Sequence, residues 1–330
     1  MASLKSIWTN FFPPKPMFTE KNVPNLEGKV YVVTGSNTGI GKEVASVLYS
    51  QHARVYVAAR SAERAATAIA DIEKLYPDSK GSLEFLRLDL ADLSTIKGTV
   101  EEFLAKENKL NVLFNNAGLQ TPNPGTTKQG YEIQLGVNCL GTFLLTKLLT
   151  PILIQTAQAE QSYASNSVRV VWVCSAGTEM GAEKSVGLHM DNLDYHIAKD
   201  GMYKYAISKV GDYLYGVEYA KRHRKDGIVS VPLNPGNLAS DLYRDQTNWL
   251  FRMFLMLITH PVKLGAYTEL YAGVSEDVTI EKSGSWLIPW GRFYPISQDL
   301  VQATKPEDEG GAGTSLKFWD WSEEQVKKFV

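Results

Sequence analysis

Five tyrosines crowd the stretch MYKYAISKVGDYLYG and its continuation: Tyr203, Tyr205, Tyr213, Tyr215 and Tyr219. A helix brings residues four apart onto one face. At that spacing Tyr203 meets Ile207, Tyr213 meets Val217 and Tyr215 meets Tyr219, whereas Tyr205 meets a cation, Lys209. A phenol with a pKa of about 10 exchanges protons poorly at neutral pH. A neighbouring ammonium stabilises the phenolate and lowers that value. Tyr205 and Lys209 thus read as a proton-exchanging pair, and the other tyrosines as packing or pocket wall.

Such a pair needs elements that hold it beside a substrate. Continuous apolar runs at 29–34, 54–59, 83–88, 110–115, 168–174, 228–233 and 284–288 read as strands covered on both faces, as in a parallel sheet. Helical segments are expected near 40–51, 62–75, 92–106, 128–154, 202–224 and 262–274. Strand then helix, repeated, predicts a doubly wound α/β fold with right-handed crossovers and helices on both faces.

The first strand runs into TGSNTGIGKEVA, which puts Gly35, Gly39 and Gly41 where strand turns into helix. Glycine suits a turn with positive φ or a close approach to a pyrophosphate, and a helix starting near Ile40 aims free N–H groups at the phosphates. The spacing is G-x3-G-x-G, not the G-x-G-x-x-G dinucleotide fingerprint. After the second strand, a ribose 2′-hydroxyl would call for an acid. The sequence has Ala59 and Arg60 instead. Arg60 suits a 2′-phosphate, with Lys42 as a second positive charge, so NADP(H) is the expected cofactor. The bland alternative is a solvated surface arginine.

Seven segments in order, TGSNTGIG (34–41), LDL (88–90), NNAG (115–118), VNCLGTF (137–143), CSAG (174–177), YAISK (205–209) and NPGNLAS (234–240), resemble the short-chain dehydrogenase/reductase family over about residues 28–290. Within it the chain looks like the retinol-dehydrogenase-like branch and its fungal members. The resemblance implies a Rossmann fold with a seven-stranded, mainly parallel sheet. It implies a catalytic tetrad of Asn138, Ser175, Tyr205 and Lys209. It also implies a cofactor site built from Gly35, Asn37, Thr38, Gly39, Ile40, Gly41, Arg60, Asp89, Leu90, Asn116, Ala117 and Gly118, together with Tyr205, Lys209, Pro235, Gly236, Leu238 and Ser240. In that scheme Ser175 donates to the carbonyl oxygen, Tyr205 supplies the proton, and Asn138 anchors a water linking Lys209 to solvent. The stretch 238–260 would be the substrate lid, and its apolar density predicts a greasy pocket.

Three readings follow. The first is NADPH-dependent reduction of a ketone or aldehyde on a hydrophobic, aromatic or polyketide-like substrate, as in secondary metabolism. The second is an alcohol dehydrogenase oxidising a lipophilic alcohol such as a retinoid or steroid. The third is a non-catalytic NADP(H)-binding scaffold or sensor, which the intact tetrad disfavours. The family commonly dimerises through the helices carrying Asn138 and Tyr205, and the long tail of this chain is placed to cover that surface. Monomer and homodimer both stay open.

Composition narrows the partners. With 34 basic and 36 acidic residues, net charge −2, the 330-residue chain has no nucleic-acid footprint. Two cysteines, Cys139 and Cys174, adjoin tetrad positions without metal-ligand spacing, and are expected to pack in the core. No metal is expected. No run reaches the roughly 18 apolar residues of a membrane span, WLFRMFLMLI (249–258) being the nearest approach, and no signal peptide is read. A cytoplasmic location is expected. His189 and His196, between Ser175 and Tyr205, are expected at the surface. The expected division is an extended arm (1–25), one domain including the lid (26–290), and a C-terminal extension (291–330) whose short terminal helix opens at a capping box on Ser322.

Overall fold

The computed structural model describes residues 4–160, 166–239 and 259–330. Eight strands form one sheet: β1 (Val30–Thr34), β2 (Arg54–Ala59), β3 (Ser82–Arg87), β4 (Val112–Asn115), β5 (Arg169–Val173), β6 (Val229–Leu233), β7 (Leu287–Ile288) and β8 (Arg292–Phe293). Their order is β3-β2-β1-β4-β5-β6-β7-β8. The first seven run parallel, and β8 pairs antiparallel with β7, Leu287 opposite Phe293. The expected sheet had seven strands. The eighth is two residues long, too short to leave a periodic signal.

The apolar runs are continuous because both faces of the sheet are buried. On β1, Val30 and Val32 join one core while Tyr31 and Val33 join the other; on β5, Val170 and Trp172 divide from Val171 and Val173 in the same way. One face is covered by α2 (Gly39–Ser50), α3 (Ala62–Leu75) and α8 (Val262–Val274), through residues such as Val44, Ile72 and Leu270. The other is covered by α4 (Leu93–Leu104), α5 (Thr142–Glu160) and α7 (Gly201–His223), through Ile96, Leu149 and Leu214. A π-helical turn, Leu135–Gly141, leads into α5. The short helix α6 (Ala176–Gly181) follows β5.

Three expectations change outside the sheet. Where an extended N-terminal arm was expected, Leu4–Phe11 forms a helix, α1. After α9 (Gln298–Thr304), the terminal helix α10 (Thr314–Val326) starts beyond Gly313, not at Ser322. Ser322 is buried mid-helix, donating to the Phe318 carbonyl (2.7 Å) and lying 2.6 Å from the Tyr215 hydroxyl. The apolar face of α10 outweighed the local capping pattern: Phe318 stacks on Tyr215 at 4.9 Å and Trp319 meets Phe143 edge-on at 4.8 Å. Finally, the run Leu135–Glu160 was passed over as a span candidate. It is long and apolar enough by composition, at a mean hydropathy of 1.7, and 67% of that window is buried inside the fold.

Candidate active site

The C-terminal ends of β1 to β6 open onto one cleft of about 330 Å³. Doubly wound sheets bind ligands at this edge, where strand order reverses; here that point lies between β1 and β4. Gly35 (φ 70°) and Gly39 (φ 60°) turn the chain from β1 into α2. Gly41 has a steric reason: a Cβ there would stand 2.5 Å from Asn116 Nδ2 and 3.0 Å from the Gly35 carbonyl oxygen. The 116–118 turn is pinned to β1, since Asn116 Nδ2 donates to the Thr34 carbonyl (2.6 Å) and the Ala117 N–H to Thr34 Oγ1 (2.9 Å).

The cleft brings together Gly35, Asn37, Thr38, Gly39, Ile40, Arg60, Asp89, Leu90, Asn116, Ala117, Gly118, Ser175, Tyr205, Lys209, Pro235, Gly236 and Leu238. Gly41 and Asn138 stand behind its wall, and Ser240 lies outside the described residues, as does most of the expected lid. At the β2 end the arrangement differs from expectation in one charge. Lys42 pairs with Asp71 at 2.5 Å. The second cation lining the cleft at that end is Arg64, in the first turn of α3. Both arginines are exposed, and neither guanidinium has a hydrogen-bond or ion-pair partner among the described residues. The sequence signal was a second arginine in the run RSAER.

Ser175 caps α6: its Oγ accepts from the Gly177 N–H at 3.1 Å. Asp200 caps α7 by accepting from the Tyr203 N–H (2.8 Å), which sets the helix phase that turns Tyr205 and Lys209 toward the cleft. Burial pushes the Tyr205 phenol up, while Lys209 and a hydrogen bond with Ser175 pull against it, and the net direction is upward. The ammonium lowers the phenol pKa as expected but does not outweigh desolvation.

Lys209 donates to the Val173 carbonyl (2.8 Å) and to Asp212 Oδ2 (2.8 Å). Its Nζ lies 3.2 Å from where a Cβ on Gly118 would be, a tight approach. Burial draws the ammonium down, but Asp212 and Tyr205 outweigh it and hold Lys209 above the usual lysine range. Burial pushes Asp212 up to about 6 against the pull of Lys209. Sequence reasoning missed Asp212, although its position three residues after Lys209 was visible.

Asn138 is committed to the protein. Its Oδ1 accepts from the Leu119 N–H (2.8 Å), and its Nδ2 donates to the Leu119 carbonyl (3.0 Å) and to Ser208 Oγ (2.8 Å). Ser208 in turn donates to the Tyr205 carbonyl (2.7 Å). The side-chain amide thus clamps the 119 segment to α7. The remaining tyrosines pack: Tyr203 donates to Glu183 (2.7 Å), Tyr213 meets Trp286 edge-on and Tyr219 reaches Thr150 (3.0 Å). Cys139 and Cys174 are fully buried, and burial pushes both thiols well up. His189 and His196 are about half exposed, beside Glu183 and Asp194. Among the described residues no cluster could hold a metal ion.

Residues 29–187 match the family model for short chain dehydrogenase. A short-chain dehydrogenase/reductase of Phomopsis amygdali is 51% identical over 334 residues, covering 99% of this chain and 98% of that one. Another, of Emericella nidulans, is 42% identical over 96% and 98% of the two chains. Among solved structures, 7α-hydroxysteroid dehydrogenase complexed with NADH and 7-oxo glycochenodeoxycholic acid superposes with a TM-score of 0.64 at 20% identity, over 85% of this chain and all of that one. The RhlG/NADP complex of Pseudomonas aeruginosa gives 0.61 at 22%, over 80% and 95%. At such identities the solved structures speak for the fold. The near-full-length relatives settle the class: the chain belongs to the short-chain dehydrogenase/reductase family. It is an oxidoreductase, of a family that binds a nicotinamide cofactor and acts on small carbonyl or alcohol substrates.

Proposed function

We propose that the protein reduces a ketone or aldehyde on a hydrophobic substrate with NADPH. The observation that carries this reading is the convergence of Tyr205, Ser175 and Lys209 on the glycine-turn cleft. Two features of the cleft suit a dinucleotide. Asn237 Nδ2 and Gln120 Oε1 line it, buried and without partners among the described residues, where a polar ligand group would meet them. At the far end, Arg60 and Arg64, without ion-pair partners among the described residues, suit a 2′-phosphate.

When bound, the nicotinamide supplies the hydride. The protein does the rest. Ser175 Oγ–H donates to the carbonyl oxygen and holds it near Tyr205. Tyr205 gives its phenolic proton to the oxygen as negative charge develops there. Lys209 stabilises the resulting phenolate, and Asp212 with the Val173 carbonyl keeps the ammonium in place. Asn138 fixes the wall of the site by clamping Leu119 to α7.

The class is tested by following NADPH oxidation against a panel of aromatic, polycyclic and aliphatic ketones and aldehydes. Turnover of the apolar members supports the proposal. Turnover confined to alcohols with NADP+ would replace it with the oxidative reading.

A further inference from the structure

Helix α1 is amphipathic in the wrong sense for a helix at the surface of a folded chain. Such helices bury an apolar stripe and expose polar residues. Here the buried positions are Ser6 and Asn10, each 4% exposed, and the outward positions are Leu4 (87%), Trp8 (66%) and Phe12 (51%), with Met17 (93%) just beyond. Leu4, Trp8 and Phe12 recur every four residues and form one stripe, and the Trp8 and Phe12 rings lie 4.6 Å apart.

The polar side is firmly held. Ser6 Oγ donates to Glu179 (3.0 Å), Asn234 Nδ2 donates to Asn10 Oδ1 (2.8 Å), and Arg292 donates to both the hydroxyl and the carbonyl of Thr9 (2.9 Å each). Rotating the helix to bury the stripe would break all of these, so the apolar face stays outward. Exposed apolar patches of this kind mark association surfaces.

Charge chooses the occupant. The first 19 residues contain Lys5 and Lys15 and no acid, and both lysines are exposed. A second copy of the chain packed on this stripe about a twofold axis would oppose lysine to lysine with no carboxylate from the segment to answer it. An anionic lipid surface answers the lysines and accepts the rings at the headgroup level, where tryptophan is favoured.

We infer that α1 is an interfacial docking helix: it lays Leu4, Trp8 and Phe12 into the surface of an anionic bilayer while Lys5 and Lys15 contact its headgroups. Its anchors place this face beside the active site, because Glu179 lies on α6 four residues after Ser175 and Asn234 immediately precedes Pro235. The inference does not depend on the proposed reaction.

The test is flotation of the full chain with phosphatidylcholine vesicles with and without phosphatidylserine. The expected result is co-flotation with the anionic vesicles, weakened about fivefold by each of Lys5→Gln and Lys15→Gln. The double variant Trp8→Ser/Phe12→Ser should stay in the unbound fraction with its thermal midpoint unchanged. No flotation with anionic vesicles overturns the inference. So does a fall in the midpoint of the double variant, which would show the stripe to be covered by the chain itself. A dimer in light scattering that this variant dissolves would assign the face to a second copy instead.

Discussion

The Lys209 ammonium and the Asp212 carboxylate lie 2.8 Å apart on one face of α7, with both side chains about 95% buried. The carboxylate has one oxygen on the ammonium and the other without a partner among the described residues. It therefore acts on the site through Lys209, as a positioning group and as a negative charge near Tyr205.

That charge raises the pKa of the phenol. Asp212→Asn removes it while keeping the shape, so the Tyr205 pKa falls. In the alcohol-oxidising direction the phenolate is the base, and activity rises with pH through this pKa. The rise should move to lower pH in Asp212→Asn. A limb that stays where it was would make Asp212 a packing residue only.

Arg60 and Arg64 are each expected to touch the 2′-phosphate, and a hydrogen bond to a charged group contributes about 1.5–3 kcal/mol. Arg60→Asp should lower the NADPH/NADH ratio of kcat/KM by at least about tenfold. Arg64→Ala should lower it in the same direction. Unchanged ratios in both variants would contradict NADP(H) as the cofactor.

Glu269, on α8, is fully buried, and neither carboxyl oxygen has a partner among the described residues. Burial pushes its pKa up to about 8, against a weaker pull from Lys209. The folded value lies above the ordinary 4.5, so the native state holds a proton that the unfolded chain releases. The stability from this group is fully present below about pH 4.5 and is lost as pH rises toward 8, at about 1.4 kcal/mol per pH unit. Glu269→Gln should raise the thermal midpoint relative to the parent more at pH 9 than at pH 5. A difference that does not change with pH would mean the carboxyl is not held neutral.

The sheet was legible because burial on both faces removes polar residues from its strands, and because turns of glycine and asparagine punctuate them. The site was legible where one residue type is dictated by a close approach, as at Gly41, or by helix spacing, as for Tyr205 and Lys209. What escaped depended on competition between contacts. Lys42 looked available until Asp71 claimed it. Ser322 looked like a cap until the aromatic face of α10 pulled it inside. The clamping of Leu119 and Ser208 by the Asn138 amide needs the fold to bring them together. A polar inner face on α1 breaks the rule by which sequence periodicity is normally read.

The proposed reaction turns on proton donation by Tyr205. The most direct measurement is kcat for carbonyl reduction by Tyr205→Phe, beside its NADPH dissociation constant. The ring remains to pack against the site and only the hydroxyl is lost. The expected result is a fall in kcat of about 100-fold to 10,000-fold with NADPH affinity nearly unchanged. A variant that turns over near the parent rate would contradict it.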